Sequence, residues 1–175
     1  MAAEGSRSRA TAGDMLRSLG VVLAVVAVIL FLNARDESPT VRSTGYTGAL
    51  REARAAAPYD VLGPVGLSRE WRANSARAPR EDAGVTLHIG FVTPEGEYAG
   101  LEQGAGASKR FVDRFVDGSE STGSVTIAGR TWERREGGEP EPRGLVLRIG
   151  PSTVVVAGTA EWAELEELAA SLRAG

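Results

Sequence analysis

The sequence predicts an α+β fold, in which one N-terminal transmembrane helix is followed by a mostly antiparallel sheet with helices packed on it. Three observations predict this class. Residues 19–32 form an uninterrupted apolar run. Short segments between residues 71 and 157 alternate apolar and polar side chains, as half-buried strands do. Two stretches, 108–117 and 160–173, place their apolar residues on one helical face.

The apolar run, LGVVLAVVAVILFL, contains no charge and no proline. A bilayer crossing needs about 20 apolar residues. A helix over residues 15–34 reaches this length because Arg17 can extend to the lipid headgroups. We therefore expect residues 15–34 to anchor the chain in the lipid bilayer. The alternative is a secreted protein with a cleaved signal peptide, but Leu32 stands where cleavage after Ala34 would require a small residue.

Arginines flank the apolar run unequally. Arg7, Arg9 and Arg17 precede its main part, whereas Arg35 follows it beside two acidic residues. The positive-inside rule then places the N-terminus in the cytoplasm. We expect a membrane protein with four parts, namely a cytoplasmic segment (1–14), the anchor (15–34), a linker (35–45) and an extracytoplasmic domain (46–175).

Small residues in the anchor indicate a second partner besides the lipid bilayer. Gly20, Ala24 and Ala27 fall on one helical face, where small side chains let two helices approach closely. A homodimer through these residues is therefore one expected interaction, and other envelope proteins are the alternative.

Composition excludes several classes of function. The chain has no cysteine, which removes disulfides and thiolate metal sites, and it has one histidine. Residues 36–175 carry 16 basic and 21 acidic side chains, a net charge of −5. Because nucleic-acid binding needs a basic patch, we expect no nucleic-acid partner. We also expect no cofactor and no metal.

The strand pattern is clearest at residues 85–92, where apolar side chains occupy every second position. A turn at residues 93–97 allows residues 98–103 to return as the paired strand. In the segment 153–157, three consecutive valines indicate a central strand that is buried on both faces. The other strand candidates are 71–76, 124–127, 131–134 and 145–149.

Three helices are expected to pack on this sheet. A first pattern runs from Tyr46 to Ala57 and ends at Pro58. In the helix at 108–117, Ser108 is the expected N-cap. The helix at 160–173 has Thr159 as its expected N-cap, and its inner face comprises Trp162, Leu165, Leu168, Ala169 and Leu172. Its glutamates, Glu161, Glu164 and Glu167, are expected in water.

Candidate chemistry is sparse. His88 is the sole histidine on which a Ser-His-Asp arrangement could depend, but it lies mid-strand and no Gly-x-Ser-x-Gly elbow is present. Residues 104–109 lack the phosphate-loop and dinucleotide patterns, so we interpret them as a flexible loop. The carboxylate pairs are interpreted as solvated surface: Asp113 with Asp117, Glu95 with Glu97, and Glu164 with Glu167. Trp71 and Trp132 are interpreted as core residues, with a sugar or peptide groove as the alternative.

The whole chain also resembles a family of bacterial membrane proteins, the domain of unknown function 4245 family of high-GC Gram-positive bacteria. The resemblance is carried by Asp14–Leu19, Glu70–Arg72, Leu87–Pro94, Ala128–Glu133 and Gly158–Ala160. It implies one anchor and an extracytoplasmic domain. It implies no activity and no catalytic residues.

The sequence therefore favours an extracytoplasmic binding or assembly domain in the cell envelope, and not an enzyme. The alternative is an envelope hydrolase whose site has no recognisable motif. No catalytic, cofactor-binding or metal-binding residue is assigned at this level.

Overall fold

A computed structural model of the chain describes residues 19–20, 22, 45–81, 84–106, 109–137 and 143–175. Leu19, Gly20 and Val22 are helical, and the rest of the expected anchor and nearly all of the linker lie outside the described residues. Within the described part of the chain, no helix is both long and apolar enough to cross a membrane. The chain divides into two compact units, residues 1–40 and 41–175, and the sheet belongs to the second.

The second unit is built on a seven-stranded antiparallel sheet. The strands of the unit are β1 (Leu62–Pro64), β2 (Arg72–Arg77), β3 (Arg80–Glu81), β4 (Gly84–Val85), β5 (Leu87–Val92), β6 (Tyr98–Ala105), β7 (Glu120–Ile127), β8 (Arg130–Glu136), β9 (Arg143–Ile149), β10 (Ser152–Gly158) and β11 (Leu172–Ala174). The order in the sheet is β2-β5-β6-β10-β9-β8-β7. This arrangement confirms the predicted α+β class and antiparallel sheet.

Two small ladders complete the strand pairing among the described residues. β1 pairs with β11, and β3 pairs with β4, both antiparallel. The sequence did not predict β1 or β11. Segments of two or three residues are too short to show alternation. The helix predicted at 160–173 also includes Leu172, where the backbone is already extended.

One side of the sheet, the core face, is closed by helices α1 (Thr47–Ala56) and α3 (Trp162–Ser171). Leu165 and Leu168 of α3 are fully buried, and they share one apolar cluster with Leu101, Val154 and Val156 of the central strands. Each residue of β10 except Gly158 is buried. The prediction of a central strand buried on both faces is therefore confirmed.

The other side, the cleft face, is covered in part by the short helix α2 (Lys109–Asp113) and the turn after it. Phe111, Val112 and Val116 pack over Val155 and Val146. The sequence predicted a helix at 108–117, but α2 ends at Asp113. At its end the Phe115 N–H donates to the Val112 carbonyl at 3.0 Å, which tightens the turn, and Gly118 then adopts a φ of +68°. Ser108, the expected cap, lies outside the described residues.

The expectations for the last helix need two corrections. Thr159 does not cap α3, whose N-cap is Glu161. Instead the Thr159 hydroxyl donates to the Glu97 carboxylate at 2.6 Å, which ties the 93–97 turn to the end of β10. Glu164 is not in water, because it is 6% exposed and accepts the Glu95 N–H at 3.2 Å. Glu161 and Glu167 are exposed, as expected.

Candidate functional site

A row of small residues crosses the cleft face. Strand register places Ser75 opposite Gly90, Gly90 opposite Gly100, and Gly100 opposite Ala157. Adjacent strands lie about 4.8 Å apart, so the row extends for about 15 Å. Because side chains at these positions are small or absent, the surface of the sheet is recessed there, beside the apolar cluster under α2.

The Tyr98 side chain lies over the two glycines of this row. A Cβ atom added to Gly100 would lie 2.9 Å from the Tyr98 hydroxyl oxygen, and one added to Gly90 would lie 3.1 Å from Tyr98 Cε2. An aromatic ring over strand glycines restores packing that the missing side chains would otherwise provide. Tyr98 nevertheless remains 38% exposed, so its ring forms part of an accessible surface.

Between Tyr98 and the turn after α2 is an open cavity of about 220 Å³, which we call the Tyr98 cleft. Tyr98 and Phe115 supply aromatic surface, and Gly100, Ala157 and Gly158 supply small residues. Two polar side chains, Glu102 and Thr159, complete the lining. The cleft is therefore a largely apolar recess whose lining residues carry one carboxyl group and two hydroxyl groups, those of Tyr98 and Thr159.

Beside the cleft, three side chains from adjacent strands form a hydrogen-bonded set, the Ser–His–Glu trio. Ser75 Oγ of β2 lies 2.9 Å from His88 Nε2 of β5. The other ring nitrogen, Nδ1, is hydrogen-bonded to Glu102 Oε1 of β6. His88 and Glu102 are 7% and 5% exposed, whereas Ser75 is half-buried. The trio thus runs from the outer edge of the sheet to the wall of the cleft.

Strand geometry explains why these residues meet. His88 and Glu102 are direct cross-strand partners, and alternation turns both away from the core face that Leu87 and Ile89 occupy. Ser75 reaches the same face because the register of β2 shifts between Ala73 and Ser75. Such a bulge re-aims the following side chain. A buried histidine and a buried carboxyl group are thereby paired with each other.

Burial dominates the electrostatics of this region. It raises the pKa of the Glu102 carboxyl, and this effect is opposed first by the hydrogen bond and charge of His88 and then by Arg77 and Arg114. Burial also raises the pKa of the Tyr98 hydroxyl, with a further upward contribution from Glu102, whereas Arg77 opposes it. Both groups therefore favour their protonated forms more than free side chains do.

A second cavity of about 300 Å³ lies among residues 58–60 and 149–152. Burial raises the pKa of Tyr59 there. This cavity is formed by two chain turns, and none of its acidic side chains is buried: Asp60, its carboxyl residue, is exposed. The Tyr98 cleft is the stronger candidate because a buried carboxyl group within an apolar recess needs a specific reason to be there.

The candidate residues named from the sequence lie at separate places in the structure. His88 lies mid-strand, as the sequence pattern predicts, and it is buried within the trio. Asp113 forms an ion pair with Lys109 at 2.7 Å on α2. Trp71 and Trp132 are 7% and 0% exposed, which confirms the core interpretation over the groove. Among the described residues, no group of three or more acidic or histidine side chains could hold a metal ion.

Ser75, Glu102 and Tyr98 were not identified from the sequence as members of one site. A partial signal was present, because His88 and Gly90 occupy the same phase of one strand. The pairing of residues 87–92 with 98–103 brings Glu102 and Tyr98 to that face only in the observed register. The bulge that turns Ser75 inward has no signature in the sequence.

The fold and this face define an α+β domain built on one seven-stranded sheet, whose core face is closed by helices and whose cleft face is partly open. The chain belongs to the family described as protein of unknown function (DUF4245), whose sequence profile matches residues 7–172. The match covers nearly the whole chain and confirms the resemblance seen in the sequence motifs. No curated protein and no solved structure matches the chain.

Proposed function

We propose that this chain is a single-pass membrane protein whose extracytoplasmic domain binds a component of the cell envelope at the Tyr98 cleft. The observation that carries the proposal is an apolar recess, open to solvent, with a buried carboxyl group in its wall. Binding sites typically combine apolar walls with a few placed polar groups. The proposed role is binding or assembly, and it requires no covalent step.

The size of the cleft limits what it can hold. Sites for whole small-molecule ligands occupy roughly 300–1,000 Å³. A cavity of about 220 Å³ instead suits one group of a larger ligand, such as a side chain or the end of an acyl chain. Because most of the lining is aromatic or aliphatic, the bound group should be largely apolar.

The membrane part of the proposal is supported by the sequence. The apolar run at residues 19–32 and the arginines before it favour an uncleaved anchor with the N-terminus in the cytoplasm. An anchor over residues 15–34 would hold the domain close to lipid and to other envelope proteins. Two copies could associate through Gly20, Ala24 and Ala27, which would place two clefts in one assembly.

Site-specific photocrosslinking of the full-length chain in its native membrane tests the proposal. A photoreactive phenylalanine analogue at position 115 stands in the cleft wall and should capture the bound component. The substitution Ala157→Leu should abolish this capture, because added methyl groups fill the floor of the cleft. The matched control is Ala163→Leu, which adds the same groups at an exposed position of α3.

Loss of a defined crosslinked product with Ala157→Leu and its retention with Ala163→Leu would support binding at the cleft. The same product at equal yield from both variants would contradict it. Thermal unfolding of both variants checks that Ala157→Leu remains folded, since overpacking can itself destabilise a protein.

A further inference from the structure

The Ser–His–Glu trio has the connectivity of a nucleophilic serine with its base. A serine hydroxyl faces Nε2 of a histidine, and the Nδ1 of the same ring is held by a carboxyl group. In that arrangement the carboxylate fixes the tautomer, so that Nε2 can accept a proton from the serine. The half-buried Ser75 lies on the edge strand β2, where a substrate can reach it.

We propose that Ser75 is a nucleophile for acyl transfer, with His88 as its general base and Glu102 as the residue that positions the imidazole. The substrate class is a carboxylic ester whose acyl chain is long enough to extend from Ser75 into the cleft. This inference goes beyond binding, and it rests on the proposed function in one respect, since the Tyr98 cleft would receive the acyl group. It departs from the sequence-based expectation of a domain without enzymatic activity.

The reaction balances with Ser75, His88, the ester and water. Ser75 Oγ attacks the ester carbonyl carbon and forms a C–O bond while its proton passes to His88 Nε2. The tetrahedral intermediate then breaks the bond to the alkoxy group, which leaves as an alcohol with the proton from His88. Water attacks the acyl-serine by the same route, gives its proton to His88, and releases the carboxylic acid. Ser75 regains its proton from Nε2.

Ser75 Oγ has a second hydrogen-bond partner, because it lies 3.2 Å from Asn74 Oδ1, an acceptor. A serine hydroxyl has one proton, so Asn74 Oδ1 and His88 Nε2 are alternative acceptors for it. Attack on an ester uses the orientation in which the proton faces Nε2.

The row of small residues on the cleft face connects Ser75 with the Tyr98 cleft. Gly90 and Gly100 follow Ser75 across the strands, so Gly100 lies about 10 Å from the nucleophile's strand. A Cβ atom on Gly90 would lie 2.5 Å from Ser75 Oγ, so only glycine leaves room there. An acyl chain that reaches the cleft from Ser75 must therefore span about 10 Å, whereas the cleft volume of about 220 Å³ limits how much of the chain can enter.

The experiment uses the full-length chain with a small alkyl fluorophosphonate, which forms a stable phosphonate ester with the oxygen of an activated serine and releases fluoride and a proton. Peptide mass spectrometry locates the adduct. Hydrolysis of p-nitrophenyl acetate and butyrate gives the rate. The test variants are Ser75→Ala, His88→Asn and Glu102→Gln, and the matched control is Ser124→Ala, an exposed strand serine on β7.

The proposal predicts an adduct on Ser75 and an ester hydrolysis rate that falls at least about a hundredfold in Ser75→Ala and His88→Asn. Ser124→Ala should keep the wild-type rate. Glu102→Gln should lower the rate because the neutral amide no longer holds the imidazole with Nδ1 protonated, whereas Glu102→Asp, which keeps a carboxylate, should retain more of the rate. If Glu102 had a merely structural role, the nearly isosteric Glu102→Gln would lower the rate no more than Glu102→Asp.

Absence of an adduct on Ser75 in the folded protein would overturn the proposal, as would wild-type hydrolysis by Ser75→Ala. Ser75→Ala removes one hydroxyl group from a half-buried edge position, so the test holds even if His88→Asn unfolds. The fluorophosphonate is too small to need the cleft. Labelling of Ser75 therefore reports on the nucleophile alone, whereas crosslinking at position 115 reports on binding alone.

Discussion

Replacing Leu165 with alanine tests how the sheet of the second unit is held together. Leu165 of α3 is 0% exposed and belongs to the main apolar cluster with Val154 and Val156 of β10. The change removes three carbon atoms from this cluster. At about 0.8 kcal/mol for each buried methylene, the transfer contribution is about 2.4 kcal/mol.

The space left behind adds to this loss, because surrounding side chains relax only in part. The expected total is a decrease of about 2–5 kcal/mol in the free energy of unfolding. Urea denaturation monitored by tryptophan fluorescence measures it, since Trp132 is fully buried in the same cluster. The control is Glu52→Ala at an exposed position of α1, which should change stability by less than about 0.5 kcal/mol. A silent leucine variant would refute this packing.

Three further predictions concern stability. Gly158→Ala should lower the free energy of unfolding by about 1–3 kcal/mol, because the added Cβ atom would overlap the backbone of Tyr98. Gly48→Ala in α1 is the matched control, since its Cβ atom meets nothing within 4 Å, and it should raise the free energy of unfolding by about 0.5–1 kcal/mol. Thermal unfolding of the two variants measures both effects. The hydrogen bond from Arg148 is the largest cause that holds the pKa of Glu133 below its ordinary value, and the hydrogen bond of Arg135 and both arginine charges act in the same direction. Its contribution to stability is therefore present above that ordinary pKa and lost as pH falls through the lowered one, so Glu133→Gln should flatten the acid limb of a stability–pH curve. Residues 41–175 should fold cooperatively without the preceding segment, and a non-cooperative melt of that fragment would contradict this.

The sequence predicted the elements whose periodicity extends over several residues. The strict alternation at residues 85–92 and the valine run of β10 identified strands, and the leucines of α3 identified its buried face. Short elements were missed, because β1 and β11 have three residues each. Phase alone could not show that the Thr159 hydroxyl is bonded to Glu97 and is therefore not a helix cap.

The candidate site was harder to predict because it depends on register. Alternation shows that His88 points away from Leu87 and Ile89, but it does not show which residue stands opposite on the next strand. Glu102 is that residue, and an acidic side chain in a strand candidate otherwise resembles a solvated one. The irregularity before Ser75 brings in the third member of the trio.

The burial of Glu164 has a similar explanation. Helical spacing places this side chain on the polar face, in phase with Glu161 and Glu167. The 93–97 turn covers that part of the helix, and the Glu95 N–H donates to the carboxylate. A segment distant in sequence thus converts a helix surface position into a contact between elements, which no local pattern records.

The most direct test of the central claim, that the Tyr98 cleft holds a ligand, uses ¹⁹F NMR. The chain has three tyrosines, so uniform 3-fluorotyrosine labelling gives three resonances. Tyr98 stands in the cleft wall, Tyr59 lines the second cavity, and Tyr46 packs against Phe91. Extract from the native cell envelope should shift the Tyr98 resonance in the wild-type chain and in Ala163→Leu, but not in Ala157→Leu. A shift confined to Tyr59, or a Tyr98 shift that persists in Ala157→Leu, would contradict the account.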